Sequence, residues 1–298
     1  MKKYNISKEF GIYRKFKPPF GKPLFSIAEF ALSNDLLVPR SDENIKITKK
    51  KLKTKDNDEI KIYIYEPLKV ETDKILLYIH GGGFAFKGYG KHYYMCKRYA
   101  LEGNCKAVYV DYRVAPKHQY PIPVEDCYRV YKWILENAID LKIDINKIIV
   151  CGDSAGGCLS VDVTRGAIKD NIVKPCLQML IYPVLDKRMI TKSMQEYTDT
   201  PMWNSKLNHK MWEYYLGGKE YISPNEIEDL SNMPTTYIEP AEYDCLHDEA
   251  LEFAQKLKNA SIRVILYETK NTMHGFDIKN THITEDAISN RIKMLNEI

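Results

Sequence analysis

The 298-residue chain contains no CxxC pair, and its seven cysteines, at positions 96, 105, 127, 151, 158, 176 and 245, are an odd number. Both facts argue against a disulfide framework. Four of these thiols sit in otherwise apolar stretches, and no secretory leader is evident, so buried free cysteines in a reducing compartment are expected. Long hydrophobic runs are missing too: nothing approaches the ~18 apolar residues of a membrane span. The early stretch FSIAEFALSNDLLV is broken by Glu29, Asn34 and Asp35, so neither a leader nor a span is expected and the reading is cytoplasmic. Charge of one sign is also absent, since 44 Lys and Arg stand interspersed with 40 Asp and Glu, a net +4. That excludes the concentrated basic stripe of a nucleic-acid binder. The one local excess, KKKLKTK (Lys49 to Lys55), reads as a solvated strand face near a turn. There is no internal repeat and no low-complexity tract.

What is present suits a folded core, with 44% hydrophobic and 28% charged residues. The length fits one large α/β domain with an accessory segment. Residues 1–44 contain FKPPFGKPLF followed by the helix-like SIAEFALSNDLL, and read as an N-terminal cap element without a core of its own. The pattern then changes to period two in IKIT and EIKIYIYEP, where Ile60, Ile62 and Ile64 alternate with Lys61, Tyr63 and Tyr65. KDND between them marks a hairpin.

From Asp73 onward, short apolar runs alternate with amphipathic segments, as βα units of a mostly parallel sheet require. The predicted strands are 74–80, 106–112, 147–153, 177–184, 235–241 and 263–269. The predicted helices are 93–102, 124–138, 155–168, 248–259 and 285–298. One interval breaks the rhythm: Asp186 to Asn232 carries Trp203, Trp212, Tyr214 and Tyr215 and reads as a lid inserted at about 187–232.

The stretch IIVCGDSAGGCLS (Ile148 to Ser160) carries the chemistry. GDSAG fits GxSxG, with a β-branched strand before it and helix-compatible residues after it, which is the context of a nucleophile elbow. Gly152 and Gly156 supply the absence of bulk that such a turn needs. A serine hydroxyl needs a base, and the intermediate it forms needs donors for a negative oxygen. HGGGF (His80 to Phe84) follows a strand directly, and three consecutive glycines exceed what a turn requires. Gly82 and Gly83, with the N–H of Ala155 at the helix start, would form an oxyanion hole helped by the helix dipole. His80 precedes the nucleophile and reads as a support for the loop.

Of the seven histidines, His209, His247, His274 and His282 follow Ser154, as the chain order nucleophile, acid, base requires. His209 lies in the lid, His247 at a helix start, and His282 at the opening of the last helix. His274, in NTMHGF just past a strand, is the candidate base. Asp244, in TTYIEPAEYDCLHDEA, is the candidate acid, with Glu242 and Asp248 as alternatives. Asp248 and Glu249 also fit the first turn of a helix.

These residues resemble the hormone-sensitive-lipase-like branch of α/β-hydrolase esterases. The likeness is carried by HGGGF, by GDSAGG (Gly152 to Gly157), by the DxLxDE pattern Asp244 to Glu249, and by HGF (His274 to Phe276). DYRVAP, PIPVEDCY and YTDTPMWNSKLNHKMWEYYLGG are similar to the family as well. Cys158, Cys245 and His247 depart from its commoner residues. The resemblance implies an α/β-hydrolase fold, a mostly parallel eight-stranded sheet flanked by helices with a helical cap. It implies a serine carboxylesterase acting on short-chain acyl esters, acetyl esters among them, through an acyl-enzyme, with catalytic Ser154, Asp244 and His274.

Such a reaction calls for no metal and no organic cofactor, and its partner is a small-molecule ester. Two alternatives use the same fold: a non-catalytic small-molecule receptor, and an amidase or peptidase with the same triad. The aromatic lid residues could face a sugar or aromatic leaving group or simply pack. The strand RVILYET and the last helix could pair with a second copy to form a homodimer.

Overall fold

The computed structural model describes residues 4–21 and 38–298. The helix read at SIAEFALSNDLL falls outside the described residues. The chain first forms a hairpin of β1 (Ile45–Lys53) and β2 (Glu59–Pro67), paired antiparallel from Ile45 opposite Pro67 to Lys53 opposite Glu59. Its turn is closed by the Thr54 N–H on the Asp58 carbonyl at 2.9 Å. The two sides of β2 enter different cores: Ile60, Ile62 and Ile64 pack on one face, Tyr63 and Tyr65 on the other. Lys49, Lys50 and Lys51 of β1 lie on the surface, as the sequence implied.

The remaining strands are β3 (Ile75–Ile79), β4 (Lys106–Asp111), β5 (Ile148–Asp153), β6 (Leu177–Ile181), β7 (Thr235–Glu239), β8 (Ala241–Tyr243), β9 (Val264–Leu266) and β10 (Thr269–Met273). Eight of them form one sheet in the order β1-β2-β4-β3-β5-β6-β7-β9, parallel from β4 through β9. β3 and β5 are buried along their whole length, which explains why they read as unbroken apolar runs rather than alternating ones.

Helices cover both faces. α1 (Gly90–Glu102) and α7 (His282–Asn296) pack on one side through Tyr93, Cys96, Tyr99, Ile288 and Leu295. α2 (Ile122–Glu136) and α3 (Ala155–Lys169) pack on the other through Val130, Tyr131, Ile134, Leu159 and Val163. The interval after β6 contains the short α4 (Lys192–Glu196) and α5 (Ser205–Leu216). The Asn204 side chain caps α5 by accepting the Leu207 N–H, and α5 stops at Gly217, whose φ of 57° is left-handed. α6 (His247–Asn259) packs Phe253 and Leu257 against Leu180 and Ile238.

Most element ends differ from the sequence reading by one to three residues, and two strands differ in kind. The run 263–269 is not one strand: β9 ends at Leu266, and the chain resumes as β10, which pairs in parallel with β8 as a separate two-stranded sheet. Pro240 explains the break. It has no N–H to give the ladder, so β7 stops at Glu239, and the partner chain bends at the same level, with the Thr269 N–H on the Pro240 carbonyl at 2.9 Å. The strand predicted to 184 ends at Ile181, because Tyr182 takes a φ of 33° and Pro183 follows.

At the N-terminus, residues 4–21 lie against the segment 197–203 and the chain after β10. Phe10 packs on Phe276, the Met202 N–H bonds the Phe16 carbonyl at 2.7 Å, and Phe20 meets Trp203 edge-on at 5.2 Å. Among the described residues no helix is long and apolar enough to cross a membrane.

Candidate active site

Ser154 stands between β5 and α3 with φ 54° and ψ −118°, a strained backbone that persists only where the surroundings enforce it. They do so by close packing. A Cβ on Gly152 would come within 2.2 Å of the Gly156 carbonyl oxygen, and one on Gly156 within 2.0 Å of the Ile79 oxygen. Only glycine lets α3 approach the sheet this closely. The Ser154 N–H donates to the Ile181 carbonyl at 2.8 Å, and its carbonyl accepts the Gly157 and Val184 N–H groups.

The neighbouring Asp153 is a site residue that sequence reasoning missed. Its carboxylate accepts from the Tyr78 hydroxyl at 2.8 Å and the Gly81 N–H at 3.1 Å, with His92 Nε2 at 3.3 Å. Burial alone would raise its pKa, but His92, Lys91 and Tyr78 hold it well below the usual carboxylate range. Asp153 thereby ties the strand that carries Ser154 to the start of the glycine loop. The only signal was its place as the variable residue of GxSxG.

The candidate acid and base are set side by side by the small sheet. Met273 of β10 is in register with Tyr243 of β8, so the next residue of each strand, His274 and Asp244, emerge together. His274 Nδ1 lies 2.6 Å from Asp244 Oδ2, and Nε2 lies 2.9 Å from Ser154 Oγ. A carboxylate accepts only, which places the ring proton on Nδ1 and leaves Nε2 free to accept from the serine hydroxyl. The other Asp244 oxygen accepts the Leu246 N–H at 3.0 Å, and the residue is fully buried.

The alternative acids are engaged elsewhere. Glu242 accepts the Asn271 N–H, and Asp248 accepts the Ser193 N–H and contacts His247. His209 faces outward beside Glu213, and His247 and His282 begin α6 and α7.

In the glycine loop Gly82 has φ 118° and Gly83 φ 58°, conformations that favour glycine. Gly82 and Gly83 line the same cavity as Ser154 and His274. Among the described residues the N–H groups of Gly82, Gly83 and Ala155 have no protein acceptor. His80 lies beneath the loop, with Nδ1 2.7 Å from the Gly81 carbonyl and its ring stacked on Tyr112 at 4.2 Å. Burial pushes its pKa down to about 3, so the ring is neutral.

The cavity measures about 180 Å³. One wall is apolar, formed by Pro18, Phe20, Phe86, Met202 and Trp203; the other carries Tyr89, Lys91 and Tyr182. The Trp203 indole N–H donates to Asn208 at 3.2 Å, which fixes the ring across the cavity. The other aromatics pack: Tyr215 stacks on Phe84 at 3.8 Å beside Trp212, and Tyr93 lies in the α1 core. Cys158 contacts the Tyr221 hydroxyl at 3.1 Å, and that hydroxyl donates to Asp162 at 2.8 Å. Among the described residues no group of three or more His, Cys, Asp or Glu side chains is arranged to hold a metal ion.

Residues 76–278 match the family model described as alpha/beta hydrolase fold. The chain is 29% identical to esterase LipI of Mycobacterium tuberculosis over 68% of its own length and 65% of that protein. It is 28% identical to an ethyl acetate hydrolase of Pseudomonas putida, over 87% of this chain and 84% of that one. Among solved structures, a bacterial heroin esterase superposes with a TM-score of 0.86 at 28% identity, over 98% of both chains.

Proposed function

Because the chain belongs to the hormone-sensitive-lipase-like carboxylesterases of the alpha/beta hydrolase fold, carboxylic ester hydrolases as a class, we propose that Ser154, His274 and Asp244 are its catalytic triad and that its substrates are short-chain acyl esters. The observation that carries this reading is the continuous chain of hydrogen-bond distances, Ser154 Oγ to His274 Nε2 at 2.9 Å and His274 Nδ1 to Asp244 at 2.6 Å. Ser154 Oγ attacks the ester carbonyl carbon while His274 Nε2 takes its proton. Asp244 keeps the imidazole in the required tautomer and stabilises the imidazolium. The N–H groups of Gly82, Gly83 and Ala155 receive the developing oxyanion. His274 then returns the proton to the departing alkoxide, leaving an acyl-Ser154 ester. Water, deprotonated by the same imidazole, releases the acid and restores the serine.

The short-chain reading rests on the cavity. At about 180 Å³ it falls below the ~300 Å³ lower end of ordinary ligand pockets. Its apolar wall is closed by Trp203 and Phe20, and one relative is an ethyl acetate hydrolase. In this reading the described part of the N-terminal cap element, residues 4–21, and the insertion 187–232 act together as a cover over the cavity, supplying Phe20 and Trp203.

The test is a series of p-nitrophenyl esters from acetate to octanoate, run on the wild type and on Ser154→Ala. Turnover should be greatest with the shortest acyl groups, and Ser154→Ala should lose on the order of 10⁶ in kcat, as a triad serine does. A variant that kept near wild-type turnover would remove Ser154 from the mechanism, and equal rates with octanoate would remove the acyl-length limit.

A further inference from the structure

A buried ionic cluster lies behind the triad and takes no part in the proton transfers. Asp277 follows His274 by three residues. Its Oδ1 accepts from the Tyr182 hydroxyl at 2.5 Å, its Oδ2 from Arg291 at 2.8 Å, and Lys91 forms an ion pair with it. Glu239 closes β7, just ahead of the strand that leads into Asp244. It receives the other edge of the same Arg291 guanidinium, from Nη2 at 2.5 Å and Nε at 3.0 Å, and the Tyr237 hydroxyl at 2.7 Å. Arg291 is 1% exposed and comes from α7, near the end of the described chain.

One planar cation therefore holds two carboxylates, one on the segment that carries the base and one on the segment that carries the acid. Tyr182 repeats the link, since its N–H donates to the Glu239 carbonyl at 2.7 Å while its hydroxyl holds Asp277. Its ring also meets the His274 imidazole edge-on at 4.9 Å.

We propose that Arg291 is a positioning residue of the active site, a buried clamp that fixes the register of the His274 loop against the Asp244 loop through Asp277 and Glu239. This rests on the triad reading given above. The need for such a clamp is visible in the backbone: β8 has three residues, and its pairing with β10 shifts register between Thr269 and Met273. So short a ladder holds register weakly. Arginine suits the task because its fork meets each carboxylate along a different edge, which an ammonium cannot do.

Burial would raise the Asp277 carboxyl, yet Lys91 and Arg291 hold it below the usual range. The Glu239 carboxyl is raised, its burial outweighing Arg291.

The test uses two conservative variants of the whole chain, Arg291→Lys and Asp277→Asn, read in three ways. The first is steady-state kinetics on p-nitrophenyl acetate. The second is active-site titration with an organophosphate, which counts competent sites. The third is the far-downfield proton resonance of the His274 Nδ1–H bond to Asp244. Displacing a catalytic group by ~1 Å can cost on the order of 10² in rate. Both variants should therefore fold and lose about 10- to 100-fold in kcat per titrated site, with KM changed far less, and their downfield resonance should shift or broaden. Wild-type kcat per titrated site with an unchanged resonance would overturn the proposal. So would failure of both variants to fold, which would make the cluster part of the fold and not of the site. His274→Asn separates the two readings: if it is inactive while Arg291→Lys is normal, the triad stands and only the clamp falls.

Discussion

Trp203 shows how one side chain sets the size of the site. Its N–H is committed to Asn208, its ring meets Phe20 edge-on, and a Cβ on Gly83 would lie 3.0 Å from its outer edge. Shortening it to alanine widens that wall of the cavity; the indole also faces the His274 imidazole at 5.9 Å, so the effect is read as a ratio between two substrates, in which a shared change at the base cancels. Trp203→Ala should raise kcat/KM for p-nitrophenyl hexanoate relative to acetate by at least tenfold, since one methylene in an apolar pocket is worth roughly 10- to 200-fold. An unchanged ratio would place the acyl group on the opposite wall.

The acid is tested in the same way. Asp244→Asn offers His274 an amide in place of a carboxylate and should lower kcat on the order of 10⁴, by analogy with the serine-protease template. Asp248→Asn, whose native contacts are Ser193 and His247, should cost far less. The reverse order in the two kcat values would reassign the acid.

Between elements, Tyr221 joins the insertion to α3: its hydroxyl sits between the Cys158 thiol and the Asp162 carboxylate, all three fully or nearly fully buried. Tyr221→Phe leaves that carboxylate short of a donor inside the protein, at a cost of about 1–3 kcal/mol. Hydrogen exchange should then quicken in α5 and the chain that follows it, with the central strands protected as before. Equal loss of protection in β5 would mean the contact stabilises the whole fold and not the cover.

The elements that set the proposed triad were legible in the sequence to different degrees. β3 and β5 announce themselves as apolar runs, and the glycines around Ser154 have no role in an ordinary helix start. β10 does not announce itself: TKNTM has no alternation, its Asn271 takes a φ of 57°, and its partner is a three-residue strand. Its pairing is held by backbone bonds and by Pro240 breaking the main ladder, neither of which leaves a periodic trace. Lys91, Asp277 and Arg291 were equally hidden. Nothing in the sequence around them marks them as buried, and only tertiary packing brings positions 91, 277 and 291 together.

For the molecule as a whole, buried ionisable groups make stability depend on pH in opposing directions. Burial pushes His80 from 6.5 to about 3, so between those values the unfolded chain binds the proton and the folded one does not. Stability from this group rises with pH, is complete above about 6.5, and is lost as pH falls toward 3. Asp153 and Asp277, held below the ordinary carboxylate range, add a slope of the same sign once pH falls through the range where unfolded aspartates titrate.

Asp162 acts the other way. Burial raises it from 3.8 to about 6 against the pull of Arg165 and Tyr221. The folded state therefore binds the extra proton, and stability falls as pH rises from 3.8 to about 6. Each tenfold change in proton affinity is worth ~1.4 kcal/mol, so the loss comes to about 3 kcal/mol and offsets much of the gain from His80 over the same interval. Glu239 and Glu249 are raised by burial as well and add to the slope of Asp162, so the comparison that isolates Asp162 is between variant and wild type. Asp162→Asn abolishes this one titration, so the stability of the variant relative to the wild type, read from urea unfolding, should rise by about 3 kcal/mol between pH 4 and 7. A difference that stayed constant across that interval would show that Asp162 is already ionised in the folded protein at pH 4.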